Sequence, residues 1–401
     1  MRRGNFRHFQ KNYQIITPHF KIIFMKIGID ARFFGSIGKG LGRYTQKLIE
    51  NLERIDRDNQ YYIFLRKENW HEYRPRSANF IKVMADIPWY GFREQLQFPK
   101  LLKKFELDLV HFPHFNVPYF FRGKFVVTIH DLILFHYPTK RASSLSPFFY
   151  FFKKIAHRLV IRNAIVKSEI IIAVSRYTKT DICKYFDIPA EKIVVTYEAI
   201  DRTRKTTTES NGKIIEKYGI IKPYLLYVGN AYPHKNLERL VLVFREMAKK
   251  HPHLQMVFVG KEDYFYKKIR KYVSQNFVKN VRFADYVLDE HLPVVYREAL
   301  LYVFPSLYEG FGLPPLEAMA ENIPVASSNA ACLPEILGNA AVYFDPSAMS
   351  EMAETIEKAI SDGELRQKLI QKGQEQIKKF SWEKMAAETL EIYSKSGLHQ
   401  K

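Results

Sequence analysis

The chain has 401 residues, of which 47% are apolar and 26% charged; this balance excludes an intrinsically disordered protein, and the length predicts two or three domains. There are two cysteines, which excludes a disulfide framework and makes a reducing compartment the expected setting. The net charge of +20 predicts an anionic partner, and composition leaves open whether this is a phosphate, an acidic lipid headgroup or nucleic acid.

The N-terminal segment, residues 1–24, carries five basic residues and no acidic one. It lacks an apolar run followed by a small-residue cleavage site, so no secretory signal is predicted. A strand-like sequence begins at Met25, and we expect Met25 to be the original start and residues 1–24 to be a loosely held basic arm. Residues 25–200 carry an excess of twelve basic residues and residues 201–401 an excess of three, so the anionic partner is expected on the first half.

Short runs of branched and aromatic residues recur along the chain, with amphipathic segments between them. In the first half the predicted strands are Lys26–Asp30, Tyr61–Leu65, Leu109–Phe112, Phe125–Ile129, Ile170–Val174 and Ile193–Thr196. In the second half they are Tyr224–Gly229, Gln255–Gly260, Val281–Ala284, Leu301–Phe304, Pro324–Ser327 and Ala341–Phe344. This alternation predicts βαβ units and parallel sheets that are covered on both faces.

The segment 201–212, DRTRKTTTESNG, has no apolar side chain and separates the two sets of strands, so it is predicted to be a linker. It places one domain at 25–200 and another at 213–380. Residues 381–401 are predicted to form a C-terminal helix and tail, with Ser381 as the N-cap. The fold class is therefore α/β, with two Rossmann-like doubly wound domains that face a central cleft, where the ligands of open parallel sheets bind.

Two segments at predicted strand ends of the first half carry candidate ligand contacts. The segment 34–44, FGSIGKGLGRY, follows the first strand, and its glycines let the backbone approach a ligand closely. The segment 126–132, VVTIHDL, ends a strand with His130 and Asp131, and we expect Asp131 to orient the imidazole. A flexible turn and a structural histidine are the alternative interpretations.

The segment 147–162, PFFYFFKKIAHRLVIR, has an apolar face and a basic face if it is helical. The apolar face is Phe148, Phe152, Ile155 and Leu159, and the basic face is Lys153, Lys154, His157, Arg158 and Arg162. This pattern is typical of an interfacial helix on an anionic membrane, and the alternative is a helix packed on the first domain with a solvated basic face. The basic residues also interrupt the most apolar stretch of the chain, so no membrane span is predicted.

In the second half, the segment 227–237, YVGNAYPHKNL, ends a strand at Gly229 and begins a helix near Asn236. Lys235 is expected at the mouth of that helix, pointing into the cleft. A cation at this point, together with free backbone N–H groups, can neutralise a diphosphate. A solvated lysine at a helix start is the alternative.

The segment 306–324, SLYEGFGLPPLEAMAENIP, follows a predicted strand and carries Glu309 and Glu317, which are separated by seven residues. Its two prolines suit the first turn of a helix, which is predicted over Leu316–Glu321. The free N–H groups of about residues 311–314 are expected to point into the cleft and to attract a phosphate or a sugar hydroxyl. Taken singly, each acidic residue has the alternative of an ordinary loop or helix-start charge.

This last segment resembles the E-x7-E signature of the retaining family 4 glycosyltransferases, which have the GT-B fold. The stretch 324–346, PVASSNAACLPEILGNAAVYFDP, resembles the continuation of the family pattern. The resemblance covers nearly the whole chain from Met25. It implies transfer of a hexose from a nucleotide-diphosphate sugar to an acceptor with retained anomeric configuration, in which the donor phosphate takes the acceptor proton.

The resemblance also implies roles for single residues. Glu309 and His130 would be catalytic and contact the sugar, His130 near its C6 hydroxyl. Glu317 would bind the ribose and Lys235 the diphosphate, while His234 stands where the family commonly has arginine and would be a weaker, pH-dependent substitute. The other donor-binding candidates are Phe311, Gly312, Leu313, Gly38, Gly40 and Gly229. The acceptor-side candidates are Asp131, Ser175 and Glu198.

Within the family, the sequence most resembles bacterial mannosyltransferases of cell-envelope polysaccharide synthesis. This resemblance implies GDP-mannose or a UDP-hexose as the donor and a glycan or polyprenyl-linked acceptor. No cofactor and no divalent metal are expected, because no DxD-like clamp stands at a strand end. We expect a cytoplasmic protein, peripheral on the inner face of the plasma membrane through 147–162. Two alternatives stay open: a GT-B relative such as a UDP-sugar 2-epimerase, and a basic nucleic-acid-binding protein, for which no recognised motif is present.

Overall fold

The computed structural model describes residues 25–138, 147–201 and 207–398. Its first part contains a parallel sheet of seven strands in the order β3-β2-β1-β4-β5-β6-β7. These strands are β1 (Lys26–Asp30), β2 (Gln60–Leu65), β3 (Phe80–Met84), β4 (Leu109–Phe112), β5 (Phe125–Ile129), β6 (Ile170–Ala173) and β7 (Ile193–Val195). The helices that accompany them are α1 (Lys39–Ile55), α2 (Phe92–Lys103), α3 (Ile133–His136), α4 (Pro147–Lys167) and α5 (Arg176–Phe186).

The second part contains a parallel sheet of six strands in the order β10-β9-β8-β11-β12-β13. These strands are β8 (Tyr224–Val228), β9 (Gln255–Val259), β10 (Val281–Asp285), β11 (Leu301–Phe304), β12 (Val325–Ser328) and β13 (Ala341–Phe344). The accompanying helices are α6 (Asn211–Lys217), α7 (Leu237–Lys250), α8 (Tyr264–Gln275), α9 (Leu292–Arg297), α10 (Leu313–Ala320), α11 (Leu333–Leu337), α12 (Met349–Ser361), α13 (Gly363–Ile377) and α14 (Trp382–Leu398). The predicted fold of two doubly wound α/β domains is confirmed.

Each predicted strand is present, and its ends agree with the prediction to within one residue. Strands β4, β5, β9 and β11 are buried along their whole length, which explains why they read as continuous apolar runs. Strand β3 was not predicted. It lies at the edge of the sheet and is only partly buried, and its Lys82 donates to the carbonyls of Trp70 and Tyr73, so its sequence lacks an apolar run.

The strand order reverses between β1 and β4 in the first sheet and between β8 and β11 in the second. Loops leave the carboxyl ends of neighbouring strands in opposite directions at such a point, which opens a crevice for ligands. The glycine-rich loop follows β1, the loop that contains Lys235 follows β8, and the loop that contains Glu309 follows β11. The sheet topology therefore gathers three of the predicted binding segments at these crevices.

The C-terminal helix α14 returns to the first domain. Ser381 caps it as predicted, since its Oγ accepts from the backbone N–H of Lys384 at 3.3 Å. The buried Tyr393 hydroxyl lies 2.6 Å from Nδ1 of His111 on β4, and Trp382 contacts the ring of Tyr44 on α1. The helix therefore ties the end of the chain to the first sheet.

Helix α4 packs on the first domain through Ile161, Ala164 and Ile165, which are fully buried. Ile155 and Leu159, two members of the predicted apolar face, are instead 40% and 53% exposed. The other two, Phe148 and Phe152, and the basic residues Lys153, Lys154 and His157 have side chains outside the described part. The helix thus packs by a face other than the one predicted for the membrane. Within the described ranges, no helix combines the length and the apolarity needed to cross a bilayer.

Three predicted boundary segments fall partly or wholly outside the described residues. Residues 1–24 do so completely, as do 202–206 of the linker and 399–401 of the tail. The linker prediction was too long at its C-terminal end, because α6 already begins at Asn211 and buries Ile214 and Ile215. The exact domain boundaries stay a prediction.

Candidate active site

The loop after β11 leads into α10 and forms one wall of the site. Gly312 is the N-cap of α10 and has a φ of +95°, a conformation that favours glycine. The helix begins at Leu313, three residues before the predicted start at Leu316, because the two prolines lie inside its first turn, where a missing N–H costs no hydrogen bond. It ends at Ala320, as the approach of Pro324 requires.

The backbone N–H groups of Phe311, Gly312 and Leu313 donate to no acceptor among the described residues. Pro314 has no N–H, so it drops out of the predicted set of donors. The side chain of Phe311 is buried against Tyr197 and Phe380 and serves packing. What this turn offers a ligand is therefore three backbone donors at the positive end of a helix.

Glu309 and Lys235 form an ion pair across two loops. Lys235 Nζ lies 2.5 Å from Glu309 Oε1, and each side chain is 10% exposed. The two residues come from the ends of β11 and β8, which are neighbours in the sheet. The sequence prediction that both lie at one site is therefore supported by the geometry, and an ammonium with three donors keeps capacity for a further anionic partner.

Glu317 lies in α10 and is paired with the other domain. Arg43 Nη1 on α1 donates to Glu317 Oε1 at 2.7 Å, and the Tyr296 hydroxyl lies 3.5 Å from Oε2. The Glu317 side chain is 11% exposed and that of Arg43 is 42% exposed. Sequence reasoning missed Arg43, although it stands in the glycine-rich segment and follows Gly40 at the helical spacing of three residues.

His130 is held by two acceptors. Its Nδ1 lies 2.7 Å from Glu198 Oε1 and its Nε2 lies 2.9 Å from the Pro113 carbonyl. Burial lowers its pKa, but the Glu198 carboxylate and the Pro113 carbonyl outweigh this effect and raise the pKa above the usual value. The imidazole therefore has no free nitrogen for a sugar hydroxyl in this arrangement, and the contact would come from its backbone.

The prediction that Asp131 orients the imidazole was wrong, because Glu198 does so. Asp131 Oδ1 instead accepts from the N–H of Ile133 at 2.9 Å. Burial, helped by the nearby Glu309 carboxylate, raises the pKa of Asp131. Asp131 thus stands beside Glu309 and belongs to the same site, and the acceptor-side roles of Asp131 and Glu198 stay predictions.

The two domains touch through Gly310. A Cβ at this position would lie 1.8 Å from the His130 carbonyl oxygen and 3.0 Å from Asp131 Cβ, so only glycine fits without movement. The Gly310 carbonyl accepts from Ser175 Oγ at 2.7 Å. Ser175 is fully buried and also caps α5 by accepting from the Thr178 N–H. It therefore joins the domains, and a role on the acceptor side stays a prediction.

The remaining glycine candidates differ in their surroundings. A Cβ on Gly38 would lie 2.0 Å from the Phe33 carbonyl oxygen, so this glycine is explained by the packing of its own loop. A Cβ on Gly40 would meet nothing within 4 Å, which leaves room for a ligand. Gly229 has a φ of +153°, and its N–H donates to the Val259 carbonyl at 3.0 Å. Of the three, only Gly40 has open space beside it, and its contact with the donor stays a prediction.

His234 is buried next to Lys235. Burial and the charge of Lys235 lower its pKa to about 4, so the side chain is neutral near pH 7. The expected role as a pH-dependent cation therefore does not apply in this arrangement around neutral pH. Lys235 carries the positive charge of this loop.

Two further contacts between the domains were not predicted. Glu335 of α11 accepts from the backbone N–H groups of Arg176 and Tyr177, at 2.7 and 2.9 Å, and so caps α5 from the other domain. The Tyr308 hydroxyl donates to Asp181 at 2.5 Å. Such pairs are separated by more than a hundred residues in the chain, and no local sequence signal identifies them.

The described residues contain no group of three or more His, Cys, Asp or Glu side chains arranged to hold a metal ion. The independence from divalent metal stays a prediction. The site instead consists of carboxylates, one lysine, one arginine and free backbone N–H groups. This arrangement can hold a phosphorylated, hydroxyl-rich ligand, with the cations facing the phosphates and the carboxylates facing the hydroxyls.

Comparison with protein families gives two matches that together span most of the chain. Residues 38–204 match a model described as Glycosyltransferase Family 4, and residues 211–376 match a model described as Glycosyl transferases group 1. Among curated proteins, the O-antigen chain mannosyltransferase B of Escherichia coli is 29% identical over 304 residues, which are 73% of this chain and 75% of that protein. The O-antigen chain mannosyltransferase RfbU of Salmonella typhimurium is 27% identical, over 66% of this chain and 68% of that protein.

Solved structures share the fold. The sucrose-phosphate synthase from Thermosynechococcus elongatus superposes with a TM-score of 0.72 at 19% identity. The superposition covers 92% of this chain and 98% of the synthase chain. WaaG, a glycosyltransferase involved in lipopolysaccharide biosynthesis, gives a TM-score of 0.68 at 16% identity and covers 92% and 99%. These similarities identify the architecture as GT-B.

Proposed function

The chain belongs to the family 4 glycosyltransferases, and from this premise we propose that it transfers mannose from a nucleoside-diphosphate sugar to a cell-envelope glycan, with retained anomeric configuration. The choice of mannose is supported by the curated relatives, two of which are named as mannosyltransferases of the O-antigen. GDP-mannose is the proposed donor. A UDP-hexose is the alternative, since a solved structure with the same fold, HepE from Anabaena, contains UDP-glucose.

The observation that carries the proposal is the Lys235–Glu309 pair beside the free N–H groups of Phe311, Gly312 and Leu313. The diphosphate would take the remaining donors of Lys235 and the backbone N–H groups. These groups would then stabilise the negative charge that grows on the leaving group. The Glu309 carboxylate would accept from hydroxyls of the sugar ring.

In the proposed reaction, the bond between the sugar C1 and the phosphate oxygen breaks and a bond between C1 and the acceptor oxygen forms. The acceptor proton passes to an oxygen of the leaving phosphate. Glu309 would steady the oxocarbenium-like sugar by its negative charge, and Glu317 would accept from the ribose hydroxyls. Asp131 would lie on the side from which the acceptor enters, and the backbone of His130 would contact the sugar near its C6 hydroxyl.

The test is transfer from GDP-mannose, UDP-glucose and UDP-galactose to a lipid-linked or free oligosaccharide, with the product anomer read by NMR. Retained configuration with GDP-mannose supports the proposal, and release of a free epimerised sugar without acceptor would instead favour the epimerase alternative. EDTA should leave the rate unchanged, because no metal is proposed at the diphosphate.

The second domain offers matched variants for this test. Lys268 and Glu238 form an exposed pair at 2.8 Å, in the same domain as Lys235 and Glu309 but between helices α7 and α8. Glu309→Gln should lower kcat by a factor of about a hundred or more, as expected for loss of a charge next to the reacting carbon. Glu238→Gln should leave it unchanged. Equal rates for Glu309→Gln and the wild type would overturn the assignment.

We also propose that the protein binds the anionic surface of the inner membrane leaflet, which implies a cytoplasmic location. Ile155 and Leu159 are exposed on α4, and Arg158 and Arg162 on the same helix are exposed as well. Apolar side chains that insert at the headgroup boundary, together with arginines that pair with acidic lipids, are typical of a surface-bound helix. A lipid-linked acceptor would be reached from this position.

Co-sedimentation with vesicles tests this proposal. Vesicles with a third of acidic lipid should bind the chain, and neutral vesicles should bind it less. Leu159→Glu should weaken binding several-fold, whereas Ile221→Glu, at a site on the second domain that is also more than half exposed, should not. Equal binding to both vesicle types, or equal effects of both variants, contradicts the proposal.

A further inference from the structure

Arg43 links the two walls of the cleft at the carboxylate that the proposed function assigns to the donor ribose. Its guanidinium comes from α1 of the first domain and reaches Glu317 Oε1 of the second domain at 2.7 Å. Arg43 lies on α1 one turn after Gly40, the glycine with open space around it. The Arg43 side chain thus lies between the glycine-rich loop and the Glu317 carboxylate.

The charges around Arg43 come from both domains. Carboxylates of Glu317, Asp289 and Asp201 act on it, and together they outweigh the effect of burial and raise its pKa. Asp289 lies in the loop between β10 and α9, and Asp201 lies at the end of the first domain. The Arg43 guanidinium therefore faces carboxylates from both domains.

The Glu317 side chain is largely buried, and a buried carboxylate without a partner is costly. Arg43 supplies this partner. A carboxylate oxygen carries two lone pairs, so Oε1 can accept from Arg43 and from a ribose hydroxyl at the same time. The arginine therefore does not have to leave when a nucleotide binds; it holds the carboxylate in one orientation.

We propose that Arg43 is a positioning residue for donor recognition: it fixes the Glu317 carboxylate from the opposite domain so that it accepts the ribose hydroxyls. This inference rests on the proposed function of Glu317. It makes recognition of the nucleotide ribose depend on contact between the two domains, although Glu317, the group assigned to the ribose, belongs to the second domain.

The test compares the affinity for GDP with that for 2′-deoxy-GDP by calorimetry, and runs UDP with 2′-deoxy-UDP in parallel. The wild type should prefer the ribonucleotide. Arg43→Gln should reduce this preference by a factor of about ten, the size of one charge-assisted contact, and Arg43→Lys should restore part of it. An unchanged preference in Arg43→Gln overturns the inference.

Lys47→Gln is the matched control. Lys47 lies one turn further along α1 and pairs with Asp201 at 2.8 Å. Lys47→Gln therefore also removes a positive charge from α1, but one that touches no proposed donor contact. Its ribose preference should equal that of the wild type. If Lys47→Gln reduces the preference as much as Arg43→Gln does, general electrostatics explain the effect and the inference is overturned.

The Glu317→Gln variant separates this inference from the proposed function. If Glu317→Gln keeps the full preference for ribose, or if no nucleotide binds the wild type, the proposed function fails and the inference with it. If Glu317→Gln loses the preference while Arg43→Gln keeps it, the inference alone fails. In the double variant, Arg43→Gln should add no further loss to that of Glu317→Gln, and an additive loss contradicts a positioning role.

Discussion

At the scale of single residues, the site is defined by which partner each charged group finds. Glu309 pairs with Lys235, Glu317 pairs with Arg43 and His130 pairs with Glu198. Each of these pairs is wholly or partly buried, so removing one partner leaves a charge in a poorly hydrated position. Each pair therefore holds its two side chains in place in the site.

The His130–Glu198 pair predicts a dependence of stability on pH. Because the pKa of His130 is raised, the protonated ring stabilises the fold fully below its reference pKa of about 6.5, and this contribution is lost as the pH rises through the raised value. Glu198→Gln removes the largest of the effects that raise this pKa. The gap in free energy of unfolding between the wild type and this variant should be about 1.5–3 kcal/mol at low pH and shrink as the pH rises.

Urea unfolding at a series of pH values measures this gap. Glu68→Gln, at an exposed residue paired with Arg66, serves as the control and should show a small gap that does not follow the titration of His130. A gap between the wild type and Glu198→Gln that widens with rising pH would show that the ring is not protonated in the folded chain.

Gly40 allows stability and ligand binding to be separated at one position. A Cβ there meets nothing within 4 Å, and alanine is the better helix former by up to about 1 kcal/mol. Gly40→Ala should therefore keep or raise the melting temperature and weaken binding of GDP-mannose or GDP. Thermal unfolding with and without nucleotide checks both, and unchanged nucleotide affinity would remove Gly40 from the donor site.

At the scale of elements, helix α14 shows how a segment of one domain completes the other. His111 is buried between the Tyr393 hydroxyl at 2.6 Å and the Thr128 hydroxyl at 2.8 Å. Burial lowers the pKa of His111 to about 3, so the ring is neutral and needs a partner for each nitrogen. A buried polar group of the first domain, His111, thus receives one of its hydrogen-bond partners from the C-terminal helix.

Tyr393→Phe should lower the free energy of unfolding by about 1–3 kcal/mol, because Nδ1 of His111 loses its partner in a buried position. Hydrogen exchange should show earlier opening of α14. Tyr185→Phe, at an exposed tyrosine, should change stability by less than about 0.5 kcal/mol. A loss no larger than that of this control would mean that the contact contributes little to the attachment of α14.

At the scale of the whole molecule, the Gly310 loop of the second domain closes onto the His130 carbonyl of the first. Gly310→Ala places a Cβ where that oxygen lies, so the loops must separate. A displacement of about 1 Å in an active site can cost a factor of about a hundred in rate. We expect such a loss of kcat/KM, with both domains still folded.

Gly212→Ala is the control for this variant, since a Cβ there meets nothing within 4 Å. Its rate should equal that of the wild type. Circular dichroism and thermal unfolding confirm the fold of both variants. Wild-type activity in Gly310→Ala would show that the contact between Gly310 and His130 is not needed for transfer.

Apart from the edge strand β3, the sequence by itself determined the two sheets, the strand ends and the positions of Glu309 and Lys235 at neighbouring strand ends. Apolar runs, prolines and glycines act locally, and parallel strands bring their following loops to one edge. Tertiary structure alone decided that Glu198 rather than Asp131 holds His130, that Arg43 meets Glu317, and that α14 returns to the first sheet. These contacts join residues that are 68, 274 and 282 positions apart, so they depend on how whole domains pack, which no local pattern of side chains encodes.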